Sequence, residues 1–235
     1  MSRPDEPAVV FEPIDAVTFD LDGTLCRYER SPGEVLDLSF EAVGVEPVFS
    51  EAEYSAAYDR FAAEGIGMNE LRERCFRWLC ERADHDPALG TDLAAAFAAE
   101  RNHRRVGALP GAREAIEAAR EVGPVALVTN GPPDMQREKL AGVGFDGAFD
   151  HLTFAGFETR AKPDPEPFDR ALDALSIPPE RALHVGDSPE TDVAGASAAG
   201  MRSALVGKRS DGEPTHRIDP LSALPGLLER PQRRI

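Results

Sequence analysis

Lysine is nearly absent from this chain. Of 26 basic side chains only Lys139, Lys162 and Lys208 are lysines. Any buried or functional ammonium must come from that short list. Basic charge as a whole is also in deficit. The chain carries 42 acidic residues against 26 basic ones, a formal net charge of −16. Such a surface repels polyanions, so nonspecific binding to nucleic acid or to an anionic membrane is excluded as a main role. It suits a salty cytoplasm of halophilic type, where ions screen self-repulsion. Stability that rises with added KCl is the expected result. Cysteine is scarce too. Cys26, Cys75 and Cys80 are odd in number and lack Cys-x-x-Cys spacing. That argues against a disulfide framework or a zinc site and for reduced thiols. No run of 18 apolar residues occurs, so no membrane-spanning helix is expected. The segment Met1-Ser2-Arg3-Pro4-Asp5-Glu6-Pro7 is polar and acidic. Without a basic region followed by an apolar stretch it predicts no signal peptide, and the reduced thiols make the cytoplasm the expected location.

What the chain has is enough apolar material for a real core, 42 % of 235 residues. There is no internal repeat and no long low-complexity tract. Residues 1–13 are rich in Pro and Glu and read as loose. Residues 14–20 read as a first strand. Four helices follow, at 34–44, 51–64, 69–82 and 90–105, with apolar residues at helical spacing such as Leu71, Cys75, Trp78 and Leu79. From Leu109-Pro110-Gly111 onward strands and helices alternate. Helices are expected at 111–122, 133–142, 165–175 and 189–199. Strands are expected at 124–129, 149–155, 181–186 and 203–206. Alternation of this kind implies a doubly wound parallel sheet with helices on both faces. The fold expected is therefore α/β, a Rossmann-like core of residues 1–26 and 109–235. Residues 27–108 are expected to form an inserted helical cap, hinged near 26–30 and 106–111. Leu221, Leu224, Leu227 and Leu228 suit a last short helix in a tail, 209–235, of no assigned role.

Polar groups collect at four expected strand ends. Asp20-Leu21-Asp22-Gly23-Thr24 follows the first strand. Thr129-Asn130-Gly131 ends the second. Lys162-Pro163-Asp164-Pro165 follows the next apolar segment, and Gly186-Asp187-Ser188 with Asp192 opens a helix. In a parallel sheet these ends meet on one edge, where ligands bind. Two carboxylates about 4 Å apart repel by about 4 kcal/mol at an effective dielectric near 20. A fold keeps such a pair for a cation, a shared proton or solvent. Taken singly, each motif has an ordinary reading: Asp-x-Asp-Gly as a turn, Thr-Asn-Gly as a strand exit, Lys162 as a solvated lysine, Asp187, Ser188 or Asp192 as a helix cap.

Taken in order along the chain, the four motifs resemble the haloacid dehalogenase-like hydrolase superfamily, in its subgroup with a helical cap after the first strand. The resemblance covers roughly residues 14–208, and the cap size is similar to phosphoglycolate phosphatases. It implies a phosphatase mechanism. Asp20 would attack phosphorus and carry an aspartyl-phosphate, and Asp22 would serve as acid and then base. Mg²⁺ would be held by Asp20, the Asp22 backbone carbonyl and Asp187. Thr129, Asn130 and Gly131 would hold phosphoryl oxygens. Lys162 would neutralise nucleophile and phosphate, and Asp192 would orient Lys162 or a water on the metal.

The same superfamily includes dehalogenases, phosphonatases, mutases and ATPases. Dehalogenation needs neither acid nor metal, so Asp22 and Asp187 favour ester hydrolysis over this nearest alternative. A Schiff-base phosphonatase would need a cap lysine, and residues 27–108 contain none. A noncatalytic binding protein would leave gaps in the catalytic set, and Asp20, Asp22, Lys162 and Asp187 are all present. The expected partner is a small phosphorylated metabolite, admitted and enclosed by cap motion. Oligomeric state is not read from the sequence. Outside the motifs, His103 in the basic run 101–105 reads as a solvated helix end, and Arg160 as either a phosphate contact or a partner of a carboxylate. His85 reads as a turn residue, and Met68, Phe76 and Trp78 as packing.

Overall fold

The computed structural model describes residues 13–62, 68–208 and 211–229. The readings of residues 1–12, of 63–64 at the end of the second helix, and of 230–235 lie outside these. In chain order the elements are β1 (Ala16–Phe19), β2 (Cys26–Tyr28), α1 (Pro32–Val43), α2 (Glu51–Ala62), α3 (Met68–Arg82), α4 (Pro87–Glu100), β3 (Val106–Ala108), α5 (Ala112–Val122), β4 (Val125–Asn130), α6 (Pro133–Val143), β5 (His151–Ala155), α7 (Glu166–Leu175), β6 (Ala182–Gly186), α8 (Ala194–Ala198), β7 (Arg202–Val206), β8 (His216–Ile218) and α9 (Leu224–Leu228). The chain divides into two compact units, Met1–Arg27 with Val106–Ile235, and Tyr28–Arg105.

The first unit is built on a six-stranded sheet in the order β5-β4-β1-β6-β7-β8, with every neighbouring pair parallel. All four residues of β1 are buried. A strand covered on both faces is apolar throughout rather than alternating, and Ala-Val-Thr-Phe fits that need. Its two faces still divide the core. Val17, Phe19, Val125, Leu127, Leu183 and Val185 pack with α5 residues Ala115, Ile116 and Ala119. Ala126, Val128 and Ala182 pack on the other side with Phe168, Ala171 and Leu172 of α7. Phe19 is opposite Leu127 on β4 and Val185 on β6, so the central strands end nearly level. That register delivers the residues after β1, β4 and β6 to one edge.

The second unit holds α1 to α4 around Phe40, Phe49, Phe76, Leu93 and Phe97. Helix α1 starts where Ser31 and Glu34 form a reciprocal cap, at 3.1 and 2.7 Å, and stops at Gly44 in the left-handed conformation. Helix α4 begins three residues earlier than its apolar pattern suggests, because Asp86 caps the Ala88 N–H at 2.9 Å. It also ends earlier, at Glu100. Asn102 Oδ1 accepts from Arg104 N–H at 2.9 Å, a side-chain turn that competes with helix. The expected helix end at 101–105 is thus a turn, and His103 is half-buried there, its Nδ1 2.7 Å from Tyr28 Oη. The short strands β2, β3 and β8 have three residues each, too few to show periodicity. The helix expected at 189–199 is two pieces, a π turn at Pro189–Val193 followed by α8.

Candidate active site

Asp20 is the first residue past β1. Its N–H still donates to Val185 O at 2.9 Å, so the β1–β6 ladder aims its side chain. Oδ1 accepts from Lys162 Nζ at 2.7 Å. The same ammonium donates to Asp192 Oδ1 at 2.6 Å and to the Val128 carbonyl at 2.9 Å. Three donors meet three acceptors, which is how a buried lysine is made tolerable. Burial alone would push Lys162 down, but Asp20 and Asp192 hold it above its ordinary value. Burial pushes Asp20 up to about 7 against the pull of Lys162, with repulsion from Asp192 and Asp22 adding to it. Burial would raise Asp192 as well, yet its hydrogen bond to His184 and the charge on Lys162 outweigh this and hold it below the usual carboxylate range.

Asn130 fixes the other end of Lys162. Its Oδ1 accepts from the Lys162 N–H at 2.9 Å and its Nδ2 donates to the Lys162 carbonyl at 3.3 Å. The side chain at the end of β4 therefore clamps the loop after β5. The Gly131 N–H is donated to Ala155 O at 3.2 Å. Thr129 is buried, and its hydroxyl accepts from Gln136 Nε2 at 2.9 Å.

Asp187 follows β6. Burial and the charge of Asp192 push its carboxyl up, and Thr24 Oγ1 stands 3.5 Å from its Oδ1. The π turn then brings Asp192 back toward the strand ends. Its Oδ2 accepts from the Ser188 N–H at 3.0 Å, while Ser188 Oγ caps the Thr191 N–H at 3.2 Å, the N-cap role expected of it. Two glycines make room for these carboxylates. A side chain at Gly23, whose φ is 84°, would run into the Asp187 carboxylate, and one at Gly186 into Asp192.

Asp20, Asp187 and Asp192 each offer a carboxylate oxygen within 4.8 Å of the others. Such hard oxygen donors fit Mg²⁺ rather than a soft metal. Every residue assigned to the site from the sequence except Gly131 lines one open cavity of about 170 Å³, joined by Ser188 and Thr191. Arg160 does not. It is exposed and pairs with Asp164 at 3.2 Å.

Three residues of this region escape the motifs. Lys139 Nζ sits 2.8 and 2.7 Å from the two oxygens of Asp22, and Gln136 Nε2 lies 3.0 Å from Oδ2. A signal existed: Gln136, Lys139, Leu140 and Val143 share one face of α6, and polar residues on an inward face need a partner. The third is His184, fully buried in β6. Thr18 Oγ1 lies 2.8 Å from Nδ1, Asp192 Oδ1 lies 3.3 Å from Nε2, and Phe168 packs edge-on with ring centroids 4.9 Å apart. Asp192 accepts the Nε2 proton, so Nδ1 accepts from the threonine. Burial holds the His184 pKa below its ordinary value despite Asp192, so the ring is neutral.

That sets a pH dependence. The unfolded imidazole binds a proton below about pH 6.5 and the folded one resists it, so its contribution to stability is lost on acidification. Asp20, with its raised pKa, contributes in the opposite sense between about pH 4 and 7. Subtracting the curve of His184→Gln from that of wild type isolates the histidine. Between pH 7 and 5 the difference should move against wild type. Denaturant melts of metal-free protein would measure it, and parallel curves would contradict a neutral His184.

A family model described as haloacid dehalogenase-like hydrolase matches residues 14–200. The chain belongs to the haloacid dehalogenase-like hydrolases. The α/β fold read from the sequence is the fold of that family. This hydrolase is 44 % identical over 157 residues to a phosphoserine phosphatase of Thermus thermophilus, across 64 % of its own chain and 62 % of the relative. It thus spans less than two thirds of that relative's length. It is 32 % identical over 214 residues to a phosphoglycolate phosphatase of Rhodospirillum rubrum, covering 88 % of this chain and 85 % of that one. A Bacillus subtilis HAD-hydrolase solved bound to magnesium shares the fold, with a TM-score of 0.75 at 21 % identity over 93 % of this chain and 100 % of the other. No helix among the described residues of this hydrolase is long and apolar enough to cross a membrane.

Proposed function

We propose that this hydrolase is a Mg²⁺-dependent phosphatase that cleaves a small phosphomonoester through an aspartyl-phosphate on Asp20. The observation that carries the reading is Asp20 held at 2.7 Å from the buried Lys162 ammonium, with Asp22, the candidate acid, two residues on. A dehalogenase would have no use for that acid. Relatives named phosphoserine phosphatase and phosphoglycolate phosphatase support ester hydrolysis and make small phosphorylated organic acids the first substrates to test.

In the first half-reaction a carboxylate oxygen of Asp20 attacks phosphorus and the ester P–O bond breaks. Asp22 gives its proton to the departing alkoxide. In the second, water attacks the same phosphorus while Asp22 takes one of its protons, and the bond to Asp20 breaks. One water is consumed, an alcohol and phosphate leave, and Asp22 regains its proton. Lys162 keeps Asp20 oriented and offsets phosphate charge. The Thr129 hydroxyl and the Asn130 N–H hold phosphoryl oxygens, and Asp192 orients Lys162. Asp20, Asp187 and the Asp22 carbonyl would hold Mg²⁺, which when bound supplies positive charge to the phosphoryl group.

Phosphate release from phosphoserine, phosphoglycolate, glycerol 3-phosphate and p-nitrophenyl phosphate, at high KCl with Mg²⁺ or chelator, tests this. Release on at least one ester, abolished by chelator, is expected. Without the cation the carboxylates at 20, 22, 187 and 192 repel phosphate, so chelator should also abolish binding of inorganic phosphate. Metal-independent release, or none from folded protein, would overturn the reading.

A further inference from the structure

We propose that Lys139, with Gln136, is a positioning residue for Asp22, holding its carboxylate in the orientation from which it exchanges protons with the leaving group. The inference rests on the phosphatase reading above. Asp22 stands on the loop after β1 with 41 % of its side chain exposed, so its own packing does not fix its direction. The fixing comes from behind. Lys139 is 3 % exposed and its ammonium straddles both carboxylate oxygens, at 2.8 and 2.7 Å. Burying an ammonium is costly unless it is well paired. One of only three lysines among the 26 basic residues of the chain stands here.

Gln136, one helical turn earlier and 1 % exposed, adds a second tie. Its Nε2 reaches Asp22 Oδ2 at 3.0 Å, Thr129 Oγ1 at 2.9 Å and the Asn130 carbonyl at 2.7 Å. One amide thus fixes the Asp22 carboxylate relative to the end of β4, where the phosphoryl group is proposed to sit. Neither Gln136 nor Lys139 lines the cavity, whereas Asp22, Thr129 and Asn130 do. The pair therefore acts through Asp22 and not on substrate.

This predicts a dependence on the leaving group. An alkoxide needs a proton to depart, and p-nitrophenolate does not. In Lys139→Met, kcat/KM for the fastest of the three alkyl esters should fall about 10- to 100-fold, while kcat/KM for p-nitrophenyl phosphate should fall less than about 3-fold. The loss on the alkyl ester should vanish in the background of Asp22→Asn, the double variant being no slower than Asp22→Asn alone. Lys139→Arg should recover part of the alkyl activity. If Lys139→Met fails to fold, Gln136→Met carries the test, with the same selectivity at smaller size. Equal losses on alkyl and aryl esters, or losses that add to that of Asp22→Asn, would overturn the positioning role and leave the phosphatase reading standing. Wild type without Mg²⁺-dependent release on any ester would overturn both.

Discussion

Asp20→Asn is expected to lower phosphate release by about 10⁴-fold or more, which corresponds to roughly 5 kcal/mol of barrier. The carboxamide has the shape of the carboxylate and can still accept from Lys162 through its oxygen. It cannot attack phosphorus. The loss should therefore appear in kcat, with folding intact. Stability supplies the control. Burial raises the Asp20 pKa from 3.8 to about 7. A carboxylic acid with a raised pKa favours the folded state fully below pH 4, and that contribution is lost as pH rises through 7. Metal-free wild type should therefore lose stability relative to Asp20→Asn between pH 4 and pH 8. Added Mg²⁺ should raise the melting temperature of wild type more than that of the variant, since Asp20 is one of its proposed ligands. A variant that retains turnover would remove Asp20 as nucleophile. A variant that is inactive because it is unfolded would be recognised by its melt.

The parts of this protein legible in its sequence are those whose physics is local. β1, β4 and β6 are buried on both faces, so their apolar runs stand out without any partner being known. The strand-end motifs are visible because Asp, Gly, Asn and Thr break those runs at the residue where each strand stops. What escaped depends on distance in sequence. Gln136 and Lys139 meet Asp22 across 114 and 117 residues, and nothing in α6 names that partner. His184 reads as one more residue of a strand until Thr18, 166 residues away, is placed beside it. The π turn at 189–193 looks like ordinary helix by composition. Its widening shows in N–H groups reaching back five residues, Val193 to Ser188 O at 3.2 Å and Ala194 to Pro189 O. Asp192 can meet Lys162 and Ser188 together because of that turn, so a local irregularity invisible to periodicity shapes the site.

Lys162→Met is expected to damage both stability and rate, and the two effects have different cures. The ammonium is the shared counter-charge of Asp20 and Asp192, at 2.7 and 2.6 Å. Removing one member of a buried charge network leaves the others uncompensated, at a cost of about 3–5 kcal/mol. For a chain of this size that corresponds to a fall of roughly 10 °C in melting temperature. Mg²⁺ would bring positive charge to Asp20, so it should recover part of the stability. It should not recover the rate, because the orientation of Asp20 and the charge facing phosphate are both gone. A fall in kcat of about 10²- to 10³-fold, in the range of losing a preorganised donor, is expected to persist at saturating Mg²⁺. Lys162→Met combined with Asp192→Asn should be more stable than the sum of the single changes predicts, by about 1–3 kcal/mol, since the second change removes the charge that the first one stranded. Additive stabilities would mean that Asp192 is compensated by His184 and the Ser188 N–H without the lysine, and the network would then be two separate pairs rather than one.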